Sequence, residues 1–157
     1  MTTFTAARAA STFPVTRPAA GSLGVAWGVI EVAVNPVAAD IYEMCRVPKG
    51  AVIVGGSIRS DDLDTNATET LDLDVGYLAN GVESADPDAF GNLGVFTTDT
   101  VAGIKPETGY NFPFGGVLST DGPLTLNAET VIAVTTVATA ATFAAGTLSV
   151  VVYYYVP

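Results

Sequence analysis

The stretch that decides the fold runs from Ile41 to Tyr77 and reads IYEMCRVPKGAVIVGGSIRSDDLDTNATETLDLDVGY. Side chains alternate in character from Asp40 to Val47, which is the pattern of a β-strand. Pro48-Lys49-Gly50 then predicts a turn, because proline pre-sets the backbone at the second turn position. Ala51 to Arg59 is therefore expected to return beside the first strand.

The end of the same stretch predicts a third strand with one buried face and one polar face. Its side chains alternate with a period of two, with Leu71, Leu73, Val75 and Tyr77 on one face and Asp72 and Asp74 on the other. Together the three strands indicate the spine of an all-β sandwich.

Shorter elements are predicted on both sides of this spine. Val25 to Val34 is the first strand and ends at Asn35-Pro36. Asp86 and Pro87 predict a single helical turn with Asp86 as its cap, and Gly91 to Phe96 predicts another short strand.

A long connection is expected from Thr97 to Gly116, because glycine and proline recur through it. Its aromatic residues Tyr110, Phe112 and Phe114 alternate. Two interpretations stay open for them, a binding strip or anchors that hold the loop on the core, and the second is preferred.

The last 28 residues, Thr130 to Pro157, contain no charged side chain. The segment is long enough for a membrane helix, which needs about 20 apolar residues, but threonine and serine interrupt it repeatedly. Valine, threonine, tyrosine and isoleucine favour strands, and Gly146 divides the segment into Val131 to Val137 and Leu148 to Val156. Both strands are apolar on both faces, which predicts cover by the second sheet on one side and by a neighbouring copy on the other.

Residues 1–24 predict an extended N-terminal arm ahead of a sandwich domain of residues 25–157. The arm shows neither helical nor strand periodicity. Its charge is +2, from Arg8 and Arg17, whereas the rest of the chain has 4 basic and 16 acidic residues, a charge of −12. Two interpretations stay open, a disordered tail or an arm that orders on an acidic neighbouring subunit, with Arg8 and Arg17 as interface residues.

The composition excludes several classes of function. Charged residues make up 14% of the chain, against roughly 25% in typical soluble domains, so either the chain sits in a membrane or much of its surface touches other protein subunits. The net charge of −10 would repel a phosphate backbone, which excludes nucleic acid as a partner. The N-terminus has no secretory signal pattern, so assembly in a host cytoplasm is expected.

The residue types also argue against an enzyme. The chain has no histidine, hence no imidazole base and no ordinary zinc site. Its single cysteine, Cys45, is predicted to be a small buried side chain rather than a reactive one. No nucleophile, phosphate-binding or redox signature occurs, so we expect no catalytic residues and no cofactor.

Six acidic residues lie between Asp61 and Asp74 and raise the question of calcium. Asp62, Asp64 and Asn66 match the first three ligand positions of an EF-hand loop. Ala67 replaces the required glycine, however, and Leu73 stands where the bidentate glutamate belongs. We expect a solvated acidic loop without metal and keep Asp62, Asp64 and Asn66 as the calcium candidate.

Three stretches resemble those of tailed-bacteriophage virion structural proteins. They are Tyr42-Glu-Met-Cys-Arg-Val-Pro-Lys-Gly50 with the following Val-Gly-Gly-Ser-Ile-Arg59, then Asp72 to Phe90, and finally Ala145-Gly-Thr-Leu-Ser-Val-Val-Val-Tyr153. The resemblance spans about residues 25 to 157. It implies a jelly-roll-like antiparallel β-sandwich that serves as a capsid decoration, or cement, protein.

The resemblance also implies partners and a location. A homotrimer would bind the major capsid protein at capsomer boundaries on the capsid surface of the virion, with no membrane involved. Tyr153, Tyr154 and Tyr155 in the closing strand are further interface candidates. Two alternatives stay open: a neck, tail or fibre protein of the same virion, and a carbohydrate-binding or hydrolytic sandwich that uses the loop aromatics and the acids.

Overall fold

The computed structural model describes residues 1–95 and 110–157, which form ten strands and one short helix. The helix α1 is Val117–Thr120. The strands are β1 Thr3–Thr5, β2 Leu23–Val32, β3 Ile41–Val47, β4 Ala51–Ser60, β5 Asp72–Tyr77, β6 Asp86–Val95, β7 Tyr110–Pro113, β8 Leu124–Leu126, β9 Thr130–Ala138 and β10 Gly146–Tyr155.

The strands form two sheets stacked as a sandwich. The sheet that we call the β9 sheet has the order β1-β3-β9-β5-β6, and the β10 sheet has the order β2-β10-β4-β7, with β8 also paired to β4. The antiparallel pairs are nested, since β5 pairs with β6, β4 with β7 and β8, β3 with β9, and β2 with β10. A long hairpin rolled up in this way is a jelly roll, so the predicted fold class is confirmed.

The uncharged end of the chain supplies the interior strands of both sheets. β9 lies between β3 and β5, and β10 lies between β2 and β4. Their inward side chains are fully buried: Ile132, Val134, Leu148, Val150 and Val152. The two predicted strands are therefore confirmed. In the described part of the chain no helix has the length and apolar character needed to span a membrane.

The spine is confirmed in its strands and corrected in their pairing. The turn after β3 is present, with Gly50 in the left-handed region at φ 81°. β4, however, does not return beside β3, because it crosses to the other sheet and pairs with β10, β7 and β8. In β5 the predicted faces hold, since Leu71, Leu73, Val75 and Tyr77 are all buried.

The helical turn predicted at Asp86 is wrong. Asp86 and Pro87 begin β6, which pairs with β5. β6 is the last strand of its sheet, and an edge strand tolerates a proline that lacks an N–H group. Gly76 makes the pairing possible, since a Cβ there would overlap the carbonyl oxygen of Asp86.

The predicted long connection is only partly described. Residues 97–109 lie outside the described residues, β7 starts at Tyr110, and α1 and β8 follow without having been predicted. Phe114 stacks on buried Phe90, with ring centroids 5.0 Å apart and an interplanar angle of 6°. This contact agrees with the interpretation of Phe114 as an anchor on the core.

The N-terminal segment lies along its own sandwich. β1 pairs in parallel with β3, and Phe4 stacks on Tyr42 with ring centroids 5.0 Å apart. Ala6 and Ala9 are buried, each 4% exposed. Contacts within the same chain therefore order this segment, and a neighbouring subunit is not needed for its order.

Candidate interaction surfaces

The outer side of the β10 sheet is an apolar surface. Along β2 the side chains alternate, so that Ala26 and Gly28 face the core while their neighbours face outward. On this side β2 pairs with β10, which places Leu23 opposite Tyr155, Val25 opposite Tyr153 and Trp27 opposite Val151. We call this set the apolar face; it consists of Leu23, Val25, Trp27, Val29, Val151, Tyr153 and Tyr155.

Much of the apolar face is open to solvent. The exposed fractions are 63% for Leu23, 48% for Val25, 41% for Trp27, 47% for Val29 and 41% for Tyr153. Single exposed apolar residues are ordinary, but a contiguous set on neighbouring strands marks a contact surface. The two sheets approach each other closely beneath β2, since a Cβ at Gly28 would overlap the carbonyl of Met44 on β3.

The outer side of the β9 sheet is polar and acidic instead. It presents Glu43 from β3 and Asp72 and Asp74 from β5, all partly buried. Thr5 Oγ1 donates a hydrogen bond to Glu43 Oε2 at 2.9 Å. This side also carries Arg46, which pairs with Glu129, so it is polar with an excess of acids, whereas the outer side of the β10 sheet is apolar along β2 and β10.

The acidic side holds one carboxyl group with a strongly shifted pKa. Burial, followed by the negative charges of Asp72 and Asp88, raises the pKa of Asp74 to about 6. Burial also raises the pKa of Asp72. Holding Asp74 charged in the folded state thus opposes folding near neutral pH.

We expect the melting temperature to rise as the pH falls from about 7 to about 5. An acid with a raised folded-state pKa contributes stability that is fully present below its unfolded value of 3.8 and is lost as the pH rises through about 6. Asp74→Asn should raise the melting temperature at neutral pH and flatten this rise. Asp121→Asn, at an exposed carboxylate, is the control, and an equal effect of both substitutions would contradict the assignment.

The predicted interface residues fall in different environments. Arg8 is partly buried, with its guanidinium carbon 3.6 Å from the ring centroid of Trp27 and 4.9 Å from that of Phe13. This cation–π geometry holds the arm against β2. Arg17 is exposed, and its Nη1 donates to the carbonyl of Lys49 at 3.2 Å.

The three candidate tyrosines of β10 also lie in different environments. Tyr153 is exposed and Tyr155 partly buried, both on the apolar face. Tyr154 is 1% exposed, and its hydroxyl donates to the Thr16 carbonyl at 2.6 Å. Tyr154 as an interface residue is therefore a wrong prediction, because alternation along β10 turns its ring into the core beneath the arm.

Asp64 is the centre of a buried network rather than part of a solvated loop. It is 1% exposed, and its carboxylate accepts five backbone N–H bonds. Oδ2 accepts from Thr70 at 2.7 Å, Ala141 at 3.0 Å and Leu71 at 3.1 Å, and Oδ1 accepts from Thr142 at 2.9 Å and Asn66 at 3.3 Å. These donors come from both the β4–β5 and the β9–β10 connections, so Asp64 ties two loops together.

The network decides the protonation of Asp64. Burial alone would raise the pKa of its carboxyl group, but bonds from the backbone N–H groups of Thr70, Thr142, Ala141 and Leu71 outweigh burial and lower it. A lowered pKa contributes stability above the unfolded value of 3.8 that is lost as the pH falls further. For Asp64 and Asp74 together, the contribution to stability is therefore greatest at about pH 4, where Asp64 is charged and Asp74 is protonated.

The same geometry does not fit calcium. Backbone N–H groups donate to both carboxylate oxygens of Asp64. The side chain of Asn66 donates to Thr142 Oγ1 and accepts from the Thr68 N–H. No group of three or more potential metal-binding His, Cys, Asp or Glu residues occurs in the described ranges. Asp64 and Asn66 are thus already engaged in hydrogen bonds that hold the loops.

We expect the melting temperature to be unchanged within error by millimolar calcium or by a chelator. The N–H groups around Asp64 already supply the positive field that a cation would supply. Thermal melts with and without each addition test this directly. A rise of several degrees with calcium, abolished by Asp62→Asn, would contradict it.

Cys45 is confirmed as a buried side chain, at 1% exposed. Burial raises the pKa of its thiol to about 12, against a smaller lowering effect of Arg8. A thiol with such a pKa is protonated at neutral pH and does not act as a nucleophile.

Comparison with solved structures finds the whole sandwich in phage capsids. One chain of the cyanophage Pam1 capsid asymmetric unit is 27% identical with a TM-score of 0.65, covering 94% of this chain and 96% of that one. A chain from the capsid of Ralstonia phage GP4 has a TM-score of 0.72 at 22% identity, covering 99% and 98%. These likenesses support a phage virion structural protein.

A third similar chain comes from the acidic stable capsid structure of the Helicobacter pylori bacteriophage KHP30. It is 16% identical, with a TM-score of 0.60, and the match covers 88% of this chain and 91% of that one. No protein-family model matches the sequence, and no curated protein matches it significantly. The likeness is thus one of fold and architecture over nearly the whole chain.

The apolar face was not predicted from the sequence, although the alternating pattern that marks it is present in β2. Val25, Trp27 and Val29 alternate with Ala26 and Gly28, which marks large residues on one face and small residues on the other. The small residues face inward because the sheets approach closely at this flank. The large side chains of β2 therefore point outward.

Proposed function

We propose that this chain decorates and stabilises a phage capsid by binding the major capsid protein at capsomer boundaries. The observation behind this proposal is the match at 27% identity, over almost both full lengths, to a chain of the Pam1 capsid. We further propose that the chain acts as a homotrimer on the capsid surface after assembly in the host cytoplasm, without catalysis, nucleic acid or membrane.

The chemistry of the described surfaces agrees with a role in contact. The apolar face is open, Asp64 is used inside the fold, and Cys45 is buried and protonated. The exposed guanidinium of Arg17 on the arm is an available group for an acidic neighbour. We propose Arg8, Arg17, Tyr153 and Tyr155 as residues at or next to the contacts.

The energetics explain why such a protein works on a shell. Fully burying a large apolar side chain contributes about 1.5–3 kcal/mol, so a half-exposed one contributes about half of that when covered. Association costs roughly 4–15 kcal/mol for one pair of molecules, so a single contact of this size is weak. Copies that engage several contacts of a shell together bind far more tightly, because the later contacts form within one complex.

Binding to shells tests the proposal. Purified chain is mixed with capsid shells that lack it, and the shells are sedimented. We expect co-sedimentation that saturates at a fixed number of copies per shell. The absence of binding to shells, together with labelling of the neck, tail or fibres of intact virions, would favour the alternative virion position.

A further inference from the structure

The apolar face is continuous and has a defined size. Its three cross-strand pairs follow one another along β2 and β10, with no acid among them. From Leu23 to Val29 it extends about 20 Å, at about 3.3 Å for each residue of a strand. A strip of this kind on the outside of a sandwich fits another protein surface that is flat and apolar.

Charge selects the side on which copies of this chain can meet. Each copy has a net charge of −10, so two copies repel where their acidic surfaces approach. The β9 sheet presents Glu43, Asp72 and Asp74 on its outer side. The apolar face avoids this repulsion between acids, because its seven residues are uncharged and the guanidinium of Arg8, which lies over Trp27, is positive.

One acid and one base lie at the end of the apolar face. Glu31 is opposite Thr147, and Arg59 is opposite Ser149, and both charged side chains are exposed. Within residues 1–95 and 110–157 neither forms an ion pair. Glu31 on β2 and Arg59 on β4 carry opposite charges on the two sides of the face, so the β2 side of one copy is complementary to the β4 side of another.

We propose that the apolar face binds a second copy of this chain, with Glu31 of one copy near Arg59 of the next. This inference rests on the proposed function, since it specifies the contact between copies in the decorating oligomer. Because Glu31 lies on the β2 side of the face and Arg59 on the β4 side, this contact is head-to-tail, and it closes into a ring where the rotation between copies allows it.

Sedimentation of Val29→Glu in the full chain tests the contact. Val82→Glu is the matched control, because it adds the same charge at a valine that is 66% exposed and lies outside the face. We expect Val29→Glu to raise the Kd of self-association by about 100-fold or more, since a desolvated charge opposes an apolar surface, and Val82→Glu to change it by less than about threefold. Tyr153→Glu, on the neighbouring strand, repeats the test if Val29→Glu fails to fold.

The single tryptophan gives a second measurement on the same samples. Trp27 lies on the face, so its emission should shift to longer wavelength when the wild-type oligomer dissociates on dilution. Equal self-association of Val29→Glu and Val82→Glu would overturn the inference. So would a wild-type chain that stays monomeric while Val29→Glu loses only shell binding, which would leave the proposed function standing. Self-association through this face without any shell binding would support the inference and reject the proposed function.

Discussion

Replacing Asp64 by alanine is expected to remove most of the free energy of unfolding. The substitution deletes a buried carboxylate that accepts five backbone N–H groups. Each buried donor left without a partner costs about 1–3 kcal/mol, although water reaches some of them after the change. The sum approaches the roughly 5–15 kcal/mol that stabilises a whole domain. Urea unfolding followed by circular dichroism measures the loss.

Two further variants separate this network from net charge. Asp121→Ala removes an exposed carboxylate and should change the unfolding free energy by less than about 0.5 kcal/mol. Asp64→Asn keeps the size of the side chain but turns an NH₂ group toward N–H donors, so it should also destabilise strongly. A wild-type unfolding curve for Asp64→Asn would contradict the role of the carboxylate.

Deleting residues 1–20 is expected to lower the melting temperature by about 10 °C. The deletion removes β1 from the edge of the β9 sheet, uncovers Tyr42 and Tyr154, and breaks the bond from the Tyr154 hydroxyl to Thr16. Losing apolar cover and hydrogen bonds of this extent costs on the order of 3–5 kcal/mol, and each kcal/mol shifts the melting point by about 2–4 °C in a domain of this size.

The control for the deletion is a variant that loses only one contact between the arm and the sandwich. Arg8→Ala removes the guanidinium from the Trp27 ring and should cost about 0.5–2 kcal/mol, well below the whole deletion. If the truncated chain melts with the full-length protein, the arm is separable from the sandwich, as the division at residues 24 and 25 predicts.

Local patterns predicted most strands because their signals lie within a few residues. The alternation in β5 placed Leu73 inward and Asp74 outward, and the lack of charge from Thr130 onward identified two core strands. The assignment of each strand to one of the two sheets was harder to predict. The turn at Gly50 is visible in sequence, but whether β4 returns to β3 or crosses to β10 depends on the nesting of the whole chain.

The functional surfaces were less predictable because their causes are non-local. Asp64 looked like one acid in a solvated loop, yet two of its donors, Ala141 and Thr142, come from the distant β9–β10 connection. Alternation along β10 separates Tyr154 from its two outward neighbours, and only its hydrogen bond to Thr16 depends on the course of the arm. The helical turn at Asp86 failed since its capping pattern is local while the pairing with β5 is not.

Cryo-EM of shells before and after addition of the purified chain tests the central claim most directly. We predict new density on the outside of the shell at the boundaries between capsomers, into which the jelly roll fits with its apolar faces turned toward one another. Shells that show no added density at saturating protein would contradict a decorating role for this chain.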